Sequence, residues 1–419
     1  MNAVTHIVGA GLAGLSAATC LAEQGHSVRI YEANPVAGGR CRTWYDARLG
    51  RDIDNGNHLL LSGNRSAQRY LERIGAQNRM QTARDAEFAF ADLATSERWL
   101  VKMNAGPLPW WVLSPLRRIP GTSLGDYLQG LALARARPGQ TVADVISSRD
   151  AIWQRFWEPL TIAVLNTTPE HGEAALLWSV FAETFARGGH KCRPMFAPGG
   201  LGNALVVPAV DYLSGHGTGV AYEHALRAVD LESDRATSLR FADGRRVEIF
   251  PGDRVILALP PTRLRSVLPE VEVPRDDAGI LNAHFVLEDP SLAAGLPPIT
   301  GLVNSTTHWV FVRGDVISLT ISAADRLGLM DADPGELIPK LWGETVAGLN
   351  LRDARYTAAR INKERRATFV QSPAETAKRP AARTSIKNLF LAGDFTQTGL
   401  PATIEGAIRS GEAAARLAA

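Results

Sequence analysis

Gly9, Gly11 and Gly14, set in Ile7-Val8-Gly9-Ala10-Gly11-Leu12-Ala13-Gly14-Leu15, are the residues whose type and spacing speak first for chemistry. They follow an apolar run from Thr5 to Val8 and precede an Ala-rich stretch, Leu15 to Gln24, with the spacing of a helix packed on a strand. The first glycine permits a tight turn, the second lets the backbone approach a pyrophosphate, and the third lets helix and strand pack closely. The helix N-terminus then offers N–H groups to the phosphates. A second strand, Val28-Arg29-Ile30-Tyr31, ends in Glu32, placed to accept hydrogen bonds from the adenosine ribose hydroxyls. Strand, turn, helix, strand and acid in this order, within about 30 residues, read as a dinucleotide site.

Gly38-Gly39-Arg40, directly downstream of the second strand, selects FAD over NAD. A nicotinamide dehydrogenase has no need of it. The glycine pair can lay its backbone along the same pyrophosphate while the guanidinium neutralises it, which suits a large, permanently bound dinucleotide. At the far end, Asn388-Leu389-Phe390-Leu391-Ala392-Gly393-Asp394 reads as a strand ending in Gly393-Asp394, with Asp394 positioned for the ribityl hydroxyls. Pro401-Ala402-Thr403 is expected to open a helix running to 418, with proline in the first turn. The positive end of that helix would face the flavin pyrimidine, where negative charge collects on reduction.

The segments 5–44, 51–64 and 388–418 resemble the FAD-dependent amine oxidase and phytoene desaturase superfamily, whose site is built from both chain ends. Within it, the run Asp54-Asn55-Gly56-Asn57-His58-Leu59-Leu60-Leu61-Ser62-Gly63-Asn64, with Trp157-Glu158-Pro159-Leu160 and Leu165-Asn166-Thr167, is most similar to the hydroxysqualene dehydroxylase family of hopanoid biosynthesis. The resemblance implies an α/β fold: a Rossmann-like FAD-binding domain of the glutathione-reductase/amine-oxidase type, with an inserted mixed α+β substrate domain. It places Asn55, Gly56 and Asn57 against the flavin and the backbone of Leu226 against adenine. Asp54 is expected to orient that loop or the ribose. Where amine oxidases often carry a lysine near flavin N5, this chain has Asn282 in Leu281-Asn282-Ala283-His284-Phe285-Val286. That substitution speaks against an oxidase working through a lysine–water pair. His284 shares the face of Asn282 in a strand, with a satisfied strand histidine as the simpler role.

These segments must be positioned by a discontinuous domain. Residues 1–75, 196–270 and 386–419 are expected to form the FAD-binding domain, and 76–195 with 271–385 the substrate domain. Pro198-Gly199-Gly200-Leu201-Gly202 marks the return to the first. Ala225 to Asp230, Thr237 to Phe241, Arg245 to Phe250 and Arg254 to Leu259 read as a β-meander with Asp243-Gly244 as one turn. In the inserts, Thr141 to Val164 reads as a helix, and Ala283 to Leu287, Trp309 to Arg313 and Val316 to Ser322 as strands.

Composition bounds the function. At 419 residues, with 45% hydrophobic content, the chain should fold as two closely packed domains. Lys plus Arg total 45 against 43 for Asp plus Glu, a net charge of +2 that does not recommend nucleic acid as a partner. The three cysteines, Cys20, Cys41 and Cys192, make no CxxC pair and suggest no disulfide framework; no metal is expected. No cysteine stands near 394–405, so the FAD should be non-covalent. A first strand close to the N-terminus, and no apolar run of ~18 residues, point to a cytoplasmic protein.

Trp99, Trp110, Trp111, Trp153 and Trp157 concentrate large apolar surface in the first insert. Trp110 and Trp111 lie in 107–120, where four prolines exclude a long helix and aromatic, aliphatic and basic residues alternate. This mixture suits either a monotopic contact with the cytoplasmic face of the inner membrane or a loop packed on its own protein.

The resemblance also gives the chemistry a direction. The substrate would be a long polyprenoid allylic alcohol, with C–OH replaced by C–H as reduced flavin N5 delivers hydride. Hydroxide is a poor leaving group, so an acid must protonate it. Glu158, a carboxyl among apolar residues, is the first candidate and His58 the second. No second GxGxxG with a ribose-reading residue occurs, so electrons would come from visiting NAD(P)H or a separate reductase. A desaturase or amine oxidase of the same fold, and a non-catalytic prenyl-binding carrier, are the alternatives. The intact Gly-Gly-Arg, Gly-Asp and Pro-Ala-Thr segments argue against the carrier.

Overall fold

The computed structural model describes residues 3–147 and 149–419. Its first sheet is wholly parallel, in the order Val220–Ala221, Ser27–Tyr31, Val4–Val8, Arg254–Leu257, Leu389–Leu391. Val4–Val8 has neighbours on both sides, so the chain's connections diverge at its carboxyl end. In open parallel sheets that divergence opens the crevice where ligands bind.

The helix Leu12–Glu23 is buried over nearly its whole length because the C-terminal helix Ile404–Ala418 lies across it. A Cβ on Gly411 would collide with the Ala13 carbonyl oxygen, and Ser16 Oγ donates to the Ile408 carbonyl at 2.9 Å. Both chain ends are thereby fixed beside the same crevice.

Leu226–Glu232, Arg235–Phe241 and Arg246–Glu248 form an antiparallel meander, but the expected fourth strand leaves it. Asp253 accepts from Val4 N at 2.8 Å and Phe250 N at 2.9 Å, which turns Arg254–Leu257 into the parallel sheet.

Strands from both inserts make a seven-stranded sheet. Its order is Tyr356–Phe369, Asp277–Leu287, Val316–Ile321, Trp309–Arg313, Ile299–Val303, Glu87–Asp92, Arg98–Lys102. One face packs Leu281, Phe285 and Leu319 on the helix Pro334–Leu349. The other looks toward the 54–58 loop and an aromatic core containing Phe88, Phe90, Trp153 and Trp157.

The expected helix from Thr141 to Val164 is broken, and it crosses Ser148, which lies outside the described residues. Val142–Val145 is a single turn with a Thr141/Asp144 capping box, and helix resumes as a π-helical turn, Trp153–Trp157, followed by Glu158–Leu165. Asp150 accepts from Trp153 N at 3.4 Å, so its polar side chain starts a new helix instead of continuing the old one. Among the described residues no helix is long and apolar enough to cross a membrane.

Candidate active site

The glycine loop does its work through missing side chains. Gly9 sits at φ +108°, and a Cβ there would strike the Ala258 carbonyl; one on Gly14 would strike Gly9 itself. Gly11 differs, for nothing of the protein lies within 4 Å of where its Cβ would be. That empty space borders the N-terminus of Leu12–Glu23, a position that favours negatively charged groups. Gly38 N donates to the Ala10 carbonyl at 2.8 Å, and Gly39 comes within 3.5 Å of Gly11 on the same measure, so the two glycine segments lie side by side.

Glu32 is buried at the next strand end. One carboxylate oxygen accepts from Ala10 N at 2.8 Å, the other from Asn34 N at 2.9 Å and Asn34 Nδ2 at 2.7 Å. A carboxylate offers about four lone-pair sites, so it can still accept from a sugar hydroxyl. Leu226 is buried near Tyr31 and Phe241, and its carbonyl accepts from Arg263 at 3.0 Å.

Arg40 and Asp394, expected to hold different parts of one cofactor, are joined to each other at 2.7 Å. Arg40 also donates to the Ala367 carbonyl at 2.6 Å. Its side chain is 42% accessible yet densely surrounded by protein, as for a group lining the inside of a cleft. Asp394 raises the guanidinium's pKa further. Beside this pair, Gly393 stands at φ +153°, with the Phe395 ring where a side chain would be. Cys41 is buried, and burial pushes its thiol well up, so it acts as packing.

The C-terminal helix begins later than expected. Pro401 and Ala402 precede it, Thr403 is the N-cap with its hydroxyl accepting from Gly406 N at 3.0 Å, and Ile404 is the first helical residue. The Ala402 amide is taken by Gln371 Oε1 at 2.7 Å, while Gln371 Nε2 donates to the Leu165 carbonyl at 2.8 Å. Gln371 therefore ties this turn to the far end of the Glu158–Leu165 helix.

Asp54 accepts from Thr43 Oγ1 at 2.5 Å and Leu201 N at 2.9 Å and pairs with Arg313 at 2.8 Å, so it orients the loop that follows. The Asn55 carbonyl accepts from Asn362 at 2.6 Å, and the Asn55 amide donates to Glu364 at 3.2 Å. Asn57 Nδ2 donates to Thr320 Oγ1 at 3.1 Å, and Thr320 donates to Asn282 at 2.9 Å. Asn362, Asn282, Thr320, Trp309, Gly301 and Phe90 are successive partners across the sheet and share one face. The row is amide and hydroxyl at one end and aromatic at the other. Gly301 leaves room for the rings, since its Cβ would lie 2.5 Å from Phe90.

His58 lies by Gly56 and Asn282 at the polar end. Its Nδ1–H donates to the Gly56 carbonyl at 2.9 Å, leaving the neutral ring's lone pair on Nε2. Its ring is accessible to solvent yet closely surrounded by protein, and that desolvation lowers its pKa, which favours the neutral form. Glu158 is half-buried in the first turn of its helix, and burial followed by nearby Glu170 raises its pKa. The Glu158 carboxylate makes no hydrogen bond to another described residue, and Glu158 stands seven residues, about 10 Å, from the helix end that Gln371 links to Ala402. The structure thus does not bring Glu158 into contact with His58 or the Arg40–Asp394 pair. His284 is a buried strand histidine, bonded to Ser318 Oγ at 2.8 Å, with its pKa pushed down to about 4 by burial.

Several site residues escaped sequence reasoning: Asn362, Glu364, Thr320, Gln371 and Arg379. Arg379 is buried and donates to the carbonyls of Asp394, Phe395 and Thr396, holding the loop after Gly393 in shape.

The flavin-containing amine oxidoreductase family profile matches residues 12–286 and 340–419. The chain is 42% identical to the hydroxysqualene dehydroxylase of Zymomonas mobilis, over 99% of both chains. It is also 42% identical to that of Rhodopseudomonas palustris, over 100% of this chain and 98% of the other. A crystal structure of an oxidoreductase from Methanosarcina mazei superposes with a TM-score of 0.71 at 13% identity, covering 97% and 98% of the two chains, and shares the fold. This chain is a flavin-dependent oxidoreductase that belongs to the flavin-containing amine oxidoreductase family and, within it, to the hydroxysqualene dehydroxylases.

Proposed function

We propose that the enzyme binds FAD non-covalently and replaces the hydroxyl of hydroxysqualene by hydrogen, giving squalene for hopanoid biosynthesis. The observation that carries this reading is the row across the seven-stranded sheet, polar and uncharged from Asn362 to Thr320, then aromatic from Trp309 to Phe90. A neutral hydroxyl on a long hydrocarbon suits such a row, and the carboxylate beside it, Glu364, accepts from the Asn55 amide at 3.2 Å.

FAD, reduced by an outside donor such as NAD(P)H or a reductase, supplies hydride to carbon. The C–O bond breaks, a C–H bond forms, and the oxygen leaves as water after taking a proton from the protein. The backbones of Gly9, Gly11, Gly14, Gly38 and Gly39 would hold the pyrophosphate, with Arg40 beside it. Glu32 would take the adenosine ribose, Leu226 the adenine, Gly393 and Asp394 the ribityl chain, and Pro401, Ala402 and Thr403 the pyrimidine edge. Asn55, Gly56 and Asn57 would border the flavin ring. Glu158 is assigned the proton as a half-buried carboxyl among apolar residues whose pKa is raised by burial, although the structure does not bring it into contact with His58. His58, neutral with a lone pair on Nε2, is assigned to accept a hydrogen bond from the substrate hydroxyl and orient it.

Mixing the anaerobically reduced protein with hydroxysqualene tests this. Reoxidation of the flavin matched by squalene supports it; a flavin that stays reduced over unchanged lipid sinks it.

A further inference from the structure

Seven of the fourteen large apolar side chains exposed among the described residues lie between Leu108 and Leu131. Leu116 is 98% exposed and Trp110 63%. The stretch is nonetheless held firmly. Trp111 and Val112 are buried in the aromatic core with Trp153 and Trp157, and Trp111 meets Tyr127 edge-on at 5.3 Å. Several carbonyls in and beside it accept from side chains of the protein: Asn104 Nδ2 donates to Gly106 at 3.0 Å and Leu108 at 2.7 Å, and Arg118 to Val112 at 2.7 Å and Leu113 at 3.3 Å. At the base, Gly188 at φ +88° lets the Gly106 backbone pass where a side chain would collide.

Water would satisfy the carbonyls of an ordinary surface loop. A segment seated among lipids must satisfy them internally. The charge agrees: 108–131 carries Arg117 and Arg118 against one carboxylate, Asp126, and Arg135 and Arg137 follow directly.

We propose that residues 108–131 dock this protein on an anionic lipid bilayer, with Trp110, Leu113 and Leu116 at headgroup depth and the arginines on lipid phosphates. The core beneath contains Phe88 and Phe90, and Phe90 meets Trp309 at 5.6 Å, so apolar side chains pack continuously from beneath the docking face to the row containing Asn282. Docking would bring the enzyme to a water-insoluble substrate in the lipid; that consequence rests on the proposed function, whereas the docking does not.

The test is co-sedimentation of the flavin-loaded protein with vesicles of phosphatidylcholine, alone or mixed with phosphatidylglycerol. Binding to the anionic vesicles, weakened by salt, is expected. Leu113→Ser with Leu116→Ser should lower that binding roughly tenfold or more while leaving the flavin spectrum intact. The proposal is overturned if the wild type stays in solution with both vesicle types, or if the double variant binds as the wild type does. It is also overturned if neither binds and the wild type is a dimer that the variant splits, which would make the face a subunit interface. No readout uses turnover, so failure of the dehydroxylase reading leaves this result standing.

Discussion

Around the glycine loop the site is shaped mostly by main chain: Gly9 and Gly38 at positive φ, Gly38 N on the Ala10 carbonyl, and open space beside Gly11. Across the seven-stranded sheet it is shaped by side chains drawn from distant strands: Asn57, Thr320 and Asn282 are linked through amides and a hydroxyl, and the Asn282 and Asn362 amides both donate to the Asn55 carbonyl. A site made of backbone is unforgiving wherever a Cβ is added, and its demands are the same for any dinucleotide. A site made of side chains can change chemistry by single substitutions while the fold persists.

The contrast can be broken first at Gly14. Gly14→Ala puts a methyl group into the Gly9 carbonyl, so little folded, flavin-loaded protein should be recovered, as read by yield and visible absorbance. On the side-chain half, Glu158→Gln should slow turnover by about 10²–10⁴ while the flavin stays bound. Wild-type turnover should fall as pH rises through the raised pKa of Glu158, because the proton it must give is lost there, and the variant should lack that limb. A near wild-type rate in the variant clears Glu158 of the role.

Gly11→Ala sharpens the comparison. Its methyl group meets no protein atom, so apoprotein melting should hold steady while flavin affinity falls roughly tenfold or more. If Gly11→Ala retained flavin normally, the empty space beside it would not be where the cofactor lies. The smallest effect is expected at Asn282→Leu, which removes the partner of Thr320 and one partner of Asn57 and should cost about 1–3 kcal/mol in thermal unfolding, with flavin still bound.

The same contrast explains what could be read from the chain alone. Gly9, Gly14 and Glu32 are legible because strand, turn, helix and acid are neighbours in sequence and each demand is local. Asn362 meets Asn55 across 307 positions and Gln371 meets Leu165 across 206, and no local pattern marks either pair. Two errors were local. Proline is common in a first helical turn, which points to Pro401, yet Thr403, three residues before Gly406, is the residue whose hydroxyl caps the helix. The apolar periodicity after Thr141 concealed the break at which Asp150 caps a new helix. Glu158 is marked in the sequence as a carboxyl in apolar company, a local property that says nothing of its distance from the cofactor side.

On the proposed function, this site exchanges C–OH for C–H at a neutral hydrocarbon. That exchange is tested most directly by running the reduced enzyme with hydroxysqualene in D2O and weighing the product. Reduced flavin exchanges its N–H protons with solvent, so the account predicts squalene carrying one deuterium at the carbon that lost oxygen. A dehydrated product with an added double bond and no deuterium would contradict it.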